Sequence, residues 1–214
     1  MGDEPYCALL PWIVFTVIAR RNGDGVAWGC LAAVVTACAL LAASRRRGSG
    51  ARNALMLYVI GAFSVFGVVG LFLDNPSSWL PEFARALGAG IYAAIFLVSL
   101  AFTPAVEHYT RLHVRQSVWT DRRFLNVNTA ISLVLAAAFT AIAGSMALGP
   151  MIGSVPAYTT FNWVVPVAIL TVAAHWTRVC WENFLDDEID ERINRDPLWD
   201  LAVDWHATSS VRDR

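Results

Sequence analysis

The chain has 214 residues, 57% of them hydrophobic and only 15% charged, with a mean hydropathy of +0.50. No Asp, Glu, Lys or Arg occurs between Arg123 and Arg178, a stretch more than twice the roughly 20 residues that cross a bilayer, and a chain this short has no core large enough to hide it in water. All 16 basic residues are arginine, which excludes Schiff-base chemistry with retinal or pyridoxal phosphate and a lysine-dependent phosphate loop.

Charges bound the apolar segments. Fifteen uncharged residues lie between Glu4 and Arg20, about 22 Å of helix against a hydrocarbon core of roughly 30 Å. This predicts a short span or a re-entrant piece, with Pro11 tolerated near its start. The acidic start, Met1-Gly2-Asp3-Glu4, is unlike the basic opening of a secretory signal, so the N-terminus is read as retained. Further spans are expected at about 25–44, 53–73, 86–103 and 127–148. Gly149-Pro150 and the run 153–156 then interrupt the apolar stretch. A sixth span is expected at about 158–177, kinked at Pro166. The fold class expected is all-α, a polytopic transmembrane bundle of about six spans over 1–180 followed by an acidic amphipathic tail over 181–214.

Arginine placement sets the expected orientation. One side carries Arg45, Arg46, Arg47, Arg52, Arg111, Arg115, Arg122, Arg123 and Arg178; the other carries Arg20, Arg21 and Arg85. The first side is read as cytoplasmic, with both termini inside. Small residues such as Gly61, Gly67, Gly88 and Ala136 let the helices approach closely.

The loop 107–128 has mixed charge, and Tyr109, Val114, Val118 and Trp119 suggest an amphipathic helix at the interface. His108 and His113 are five residues apart, not the four that put two histidines on one helix face for zinc. Cys7, Cys30, Cys38 and Cys180 form no C-x-x-C pair. No catalytic residue, metal site or cofactor is therefore expected.

The tail holds ten acidic residues against four arginines, a net −6, while the remainder is +5. Phe184, Leu185, Ile189 and Ile193 recur at helical spacing, and Trp199 and Trp205 add aromatic anchors. An anionic leaflet repels such a segment. It is expected to dock on the chain's own arginine loops or on a basic protein partner. The expected interaction surface comprises Tyr109, Arg111, Arg115, Trp119, Arg122, Arg123, Phe184, Ile189, Trp199 and Trp205. Inside the spans, Tyr58, Tyr92, Ser132, Asn162 and Thr171 are candidates for a midplane pocket. No carboxylate is expected at mid-depth, where ion-coupled carriers place one. Asn126, Asn128 and Asn162 are read as hydrogen-bonding glue between helices.

Tyr109-Thr110-Arg111, Val114, Trp119, Phe124 and Asn128 resemble a Y-x-R-x-x-V…W-x₄-F-x₃-N block of bacterial multi-span proteins. The opening Leu9-Leu10-Pro11-Trp12-Ile13-Val14-Phe15 is similar to the L-P-x-x-x-F start of the intracellular septation protein A family. The resemblance covers roughly 8–178. It implies a bacterial inner-membrane protein acting in the cell envelope through contacts with division or wall-elongation proteins, with no catalytic residues to carry over. The long acidic tail departs from that family.

Three functions follow as expectations. The first is a non-enzymatic membrane protein of envelope organisation or membrane homeostasis, working through protein or membrane-lipid contacts, with no nucleic-acid partner. The second is a small-molecule or lipid carrier with the midplane pocket. The third is a surface enzyme using Glu107, His108, Arg111 and His113.

Overall fold

The computed structural model describes residues 9–19, 25–46, 54–73, 79–111 and 119–195. The helices are α1 (Leu10–Ile18), α2 (Gly25–Arg46), α3 (Ala54–Leu73), α4 (Leu80–Ser99), α5 (Glu107–Thr110), α6 (Arg122–Ile152), α7 (Val155–Thr159) and α8 (Val165–Arg195); a π-helical turn, Thr160–Val164, joins the last two. The architecture is an all-α bundle with no strand among the described residues. Helix is forced on these segments because a bilayer offers backbone groups no other hydrogen-bond partner.

Among the described residues, five helices are long and apolar enough to cross a membrane: Gly25–Ser44, Leu55–Phe72, Leu80–Ser99, Arg122–Ile152 and Val155–Asp186. Their outward faces carry Trp28, Val65, Leu71, Phe72, Val98 and Val172, each more than half exposed. Water tolerates no such continuous apolar surface, and lipid requires it. The chain is a multi-pass α-helical membrane protein.

The first expected span is the shortest of the expected spans in the structure. α1 has nine residues, about 14 Å, roughly half the hydrocarbon thickness. It is held by rings rather than by length. Phe15 packs edge-on against Phe63 with centroids 5.1 Å apart, and Trp12 packs edge-on against Phe139 at 5.3 Å. Tyr92 stacks on Phe139 at 5.1 Å, and Phe96 does so at 5.9 Å. An aromatic chain thus joins α1, α3, α4 and α6 through the middle of the bundle. Gly29 and Gly88 open the space for Phe15: a Cβ on Gly88 would lie 2.4 Å from its ring.

The boundaries of two long helices differ from those expected. α4 begins at Leu80, six residues early, and so takes in Glu82 and Arg85. Pro81 occupies its first turn, where the missing N–H has no partner to lose. α6 runs through Gly149-Pro150 to Ile152 and ends only at Gly153, whose φ of +72° is the left-handed cap. The proline is tolerated because breaking the helix inside lipid would orphan more carbonyls than the proline itself does.

The expected kink site at Pro166 is met by the π-helical turn. Val165 N–H donates to Thr160 O, five residues back. That wider loop leaves the Phe161 carbonyl without its usual donor, and Ser145 Oγ on α6 supplies one at 2.9 Å. α8 then continues through Cys180 to Arg195 without a break.

Candidate functional site

At the end of the bundle where α4 stops, a compact polar cluster forms. Ser99 Oγ donates to Phe96 O at 2.7 Å and accepts from Ala105 N–H at 3.1 Å, turning the chain out of α4. Glu107, only 2% exposed, starts α5 and holds Arg111 one turn on in an ion pair. The Arg111 guanidinium lies 5.1 Å from the centre of the Trp119 ring. Thr110 Oγ1 donates to Asn128 Oδ1 at 2.6 Å, and Asn128 Nδ2 donates to Phe124 O at 2.8 Å. Asp121 caps α6 by accepting from Arg123 N–H at 2.9 Å, so the second half of the expected interfacial helix is instead the first turns of α6.

Asn128 is fully buried, and its bond to Thr110 ties α5 to α6. Asn128→Leu keeps the volume and removes both bonds. We expect it to cost about 1–2 kcal/mol, with Thr110→Val adding little on the Asn128→Leu background. Unfolding in SDS measures this; fully additive losses would show that the pair is not coupled.

The expected interaction surface divides in this structure. Arg122 and Arg123 are exposed, Arg111 and Trp119 half-buried. Phe184 is only 6% exposed and does not form part of an open surface. It packs on Phe124 at 6.0 Å and on Trp181 at 5.5 Å, a ring cluster of its own that joins α8 to α6. Tyr109 lies on α5 and Ile189 on α8, with side chains outside those described; Arg115, Trp199 and Trp205, like His113, lie outside the described residues.

The five pocket candidates lie in different settings. Tyr92 and Ser132 are fully buried, in α4 and α6. Asn162 is buried at the far end, donating to Tyr158 O at 3.0 Å, with Gly149 leaving room for its amide. Tyr58 is 46% exposed in the second turn of α3, an interfacial position suited to its amphipathic ring. Thr171 faces outward and returns its hydroxyl to Val167 O at 2.8 Å.

A cleft of about 720 Å³ opens instead at the other end of the bundle. Its lining includes Val17, Glu82, Arg85, Tyr158, Thr159 and Trp163. Arg85 is 8% exposed. Its Nε donates to Ala19 O at 3.0 Å, closing the C-terminus of α1, and its Nη1 donates to Tyr158 Oη at 3.3 Å. The guanidinium carbon lies 5.7 Å from the Tyr158 ring centre and 5.4 Å from that of Trp163. Sequence reading placed Arg85 outside its span and missed this cleft. The available signal was Trp79-Leu80-Pro81, which starts the helix six residues earlier.

No family model, no curated protein and no solved structure matches this chain.

Proposed function

We propose that this chain is a non-enzymatic protein of the bacterial cytoplasmic membrane, with both termini inside, that organises the cell envelope by presenting a rigid acidic helix to a basic protein partner. One observation carries the reading. α8 has 31 residues, about 46 Å, against a hydrocarbon core of roughly 30 Å. About 16 Å of helix therefore stands beyond the membrane. From 185 to 195, the length of that projection, the sequence has Asp186, Asp187, Glu188, Asp190 and Glu191 against Arg192 and Arg195, a net of −3.

An acidic rod is repelled by anionic lipid and attracted by basic protein. Its base is anchored, with Phe184 buried on Phe124. A pre-ordered helix binds a partner without the entropy of folding on contact. The resemblance of 8–178 to the intracellular septation protein A family and the arginine asymmetry of the loops support the envelope setting and the orientation. Division or wall-elongation proteins are the partners this reading expects.

The test is complementation. Cells lacking the chain are expected to show misplaced septa or detergent sensitivity, restored by the full chain. A variant with Asp186→Asn, Asp187→Asn, Glu188→Gln, Asp190→Asn and Glu191→Gln is expected to insert normally and fail to restore. Full restoration by that variant would sink the acidic-helix reading.

A further inference from the structure

Arg85 is buried with no carboxylate paired to it among the described residues. A buried guanidinium is costly unless its charge is met. Its partners among the described residues are a carbonyl, a phenol and two ring faces, all neutral. The guanidinium has five N–H donors in a planar fork. The two bonds use one donor each from Nε and Nη1. A plain capping role for the α1 carbonyl needs a single donor, and does not explain why the group opens on a cleft of about 720 Å³.

The surroundings of the cleft specify what fills it. Arg85 lies five residues into α4, about 7.5 Å from its start. Trp79, just ahead of α4 and 61% exposed, marks the headgroup level there. Val17, Val155 and Trp163 line the same cleft and are 45%, 81% and 41% exposed. A fixed cation at the base and apolar walls open to lipid match a molecule with an anionic head and a hydrocarbon body. Thr159 and Tyr158 add hydroxyls to the polar side, and Glu82 lines the cleft beside Arg85. The planar fork suits phosphate oxygens better than a point charge does. The volume lies within the range of small-molecule sites.

We propose that this cleft is a binding site for the phosphate of an anionic glycerophospholipid, with Arg85 as its anchor and the Val17–Val155–Trp163 walls taking the glycerol and upper acyl carbons. The site is independent of the acidic helix, which lies at the opposite end of the bundle.

Native mass spectrometry of the full chain tests it, with phosphatidylglycerol, diacylglycerol and inorganic phosphate as separate probes. The wild type is expected to retain one phosphatidylglycerol and no diacylglycerol, which has the same tails without the phosphate. Arg85→Met is expected to lower phosphatidylglycerol retention about tenfold, equivalent to about 1.4 kcal/mol. Val17→Trp fills the cleft and leaves Arg85 in place, and is expected to lose the lipid with an unchanged unfolding midpoint, so the proposal stays testable if Arg85→Met does not fold. Equal retention of diacylglycerol, or retention of phosphatidylglycerol by both variants, overturns the proposal. Stabilisation of delipidated wild type by millimolar inorganic phosphate alone, lost in Arg85→Met, overturns the lipid as occupant and assigns the site to free phosphate.

Discussion

Gly88→Ala is expected to destabilise the protein by about 2–3 kcal/mol, although the same change in a helix ordinarily stabilises by about 0.5–1 kcal/mol. A Cβ at 88 would sit 2.4 Å from Phe15 Cε1 and 2.8 Å from Cδ1. The ring has nowhere to go. It is fully buried, wedged edge-on against Phe63 at 5.1 Å and tilted on Phe66 at 5.8 Å, with Gly29 behind it. α1 is too short to hold its place by membrane crossing alone, so moving Phe15 moves the helix. Ala19 would shift with it, and with Ala19 the carbonyl that Arg85 holds. Gly90, two residues away on α4, has nothing within 4 Å of its Cβ position. Gly90→Ala is therefore expected to be neutral or stabilising, and Phe15→Leu is expected to recover part of the loss in Gly88→Ala. SDS or thermal unfolding of the three variants decides it; equal effects at 88 and 90 would refute the wedge.

The span pattern was legible because charge is so costly in lipid that the arginines and carboxylates mark where each helix must stop. Counting uncharged residues before Arg20 also marked the first segment as a short span or a re-entrant piece, and α1 has nine residues. Three features were hidden. Charge counting places Arg85 beyond its span, whereas Trp79 and Pro81 start the helix earlier and the guanidinium reaches inward to Ala19. Gly149-Pro150 reads as a breaker in water but does not break a helix that has no alternative partners, so the turn falls at Gly153. Tyr58 and Thr171 share a polar character with Tyr92 and Ser132, and only packing separates the outward pair from the buried one. In a bilayer both faces of a helix are apolar, so periodicity says little about which face turns inward.

Phe184→Ala is expected to free the acidic helix from the bundle without disturbing the spans. Phe184 and Phe124 are 6% and 0% exposed, with ring centres 6.0 Å apart, and Trp181 closes the pair from three residues earlier on α8. Truncating a buried phenylalanine costs about 3–5 kcal/mol. That cost falls on local opening, since the membrane segments of α8 keep their own backbone bonds. Arg178 and Glu182 pair on the exposed side of the same turn, and an exposed ion pair adds only about 0.3–0.5 kcal/mol. It does not hold the helix in place once the ring is gone. Amide exchange over 181–186 is expected to accelerate at least about a hundredfold, as a loss of about 3 kcal/mol requires, while exchange in α4 and α6 stays unchanged. Phe124→Ala is expected to give the same acceleration, and the double variant little more, because either change empties one shared contact. Unchanged exchange over 181–186 in Phe184→Ala would mean that the helix beyond the membrane is held by something other than this ring pair.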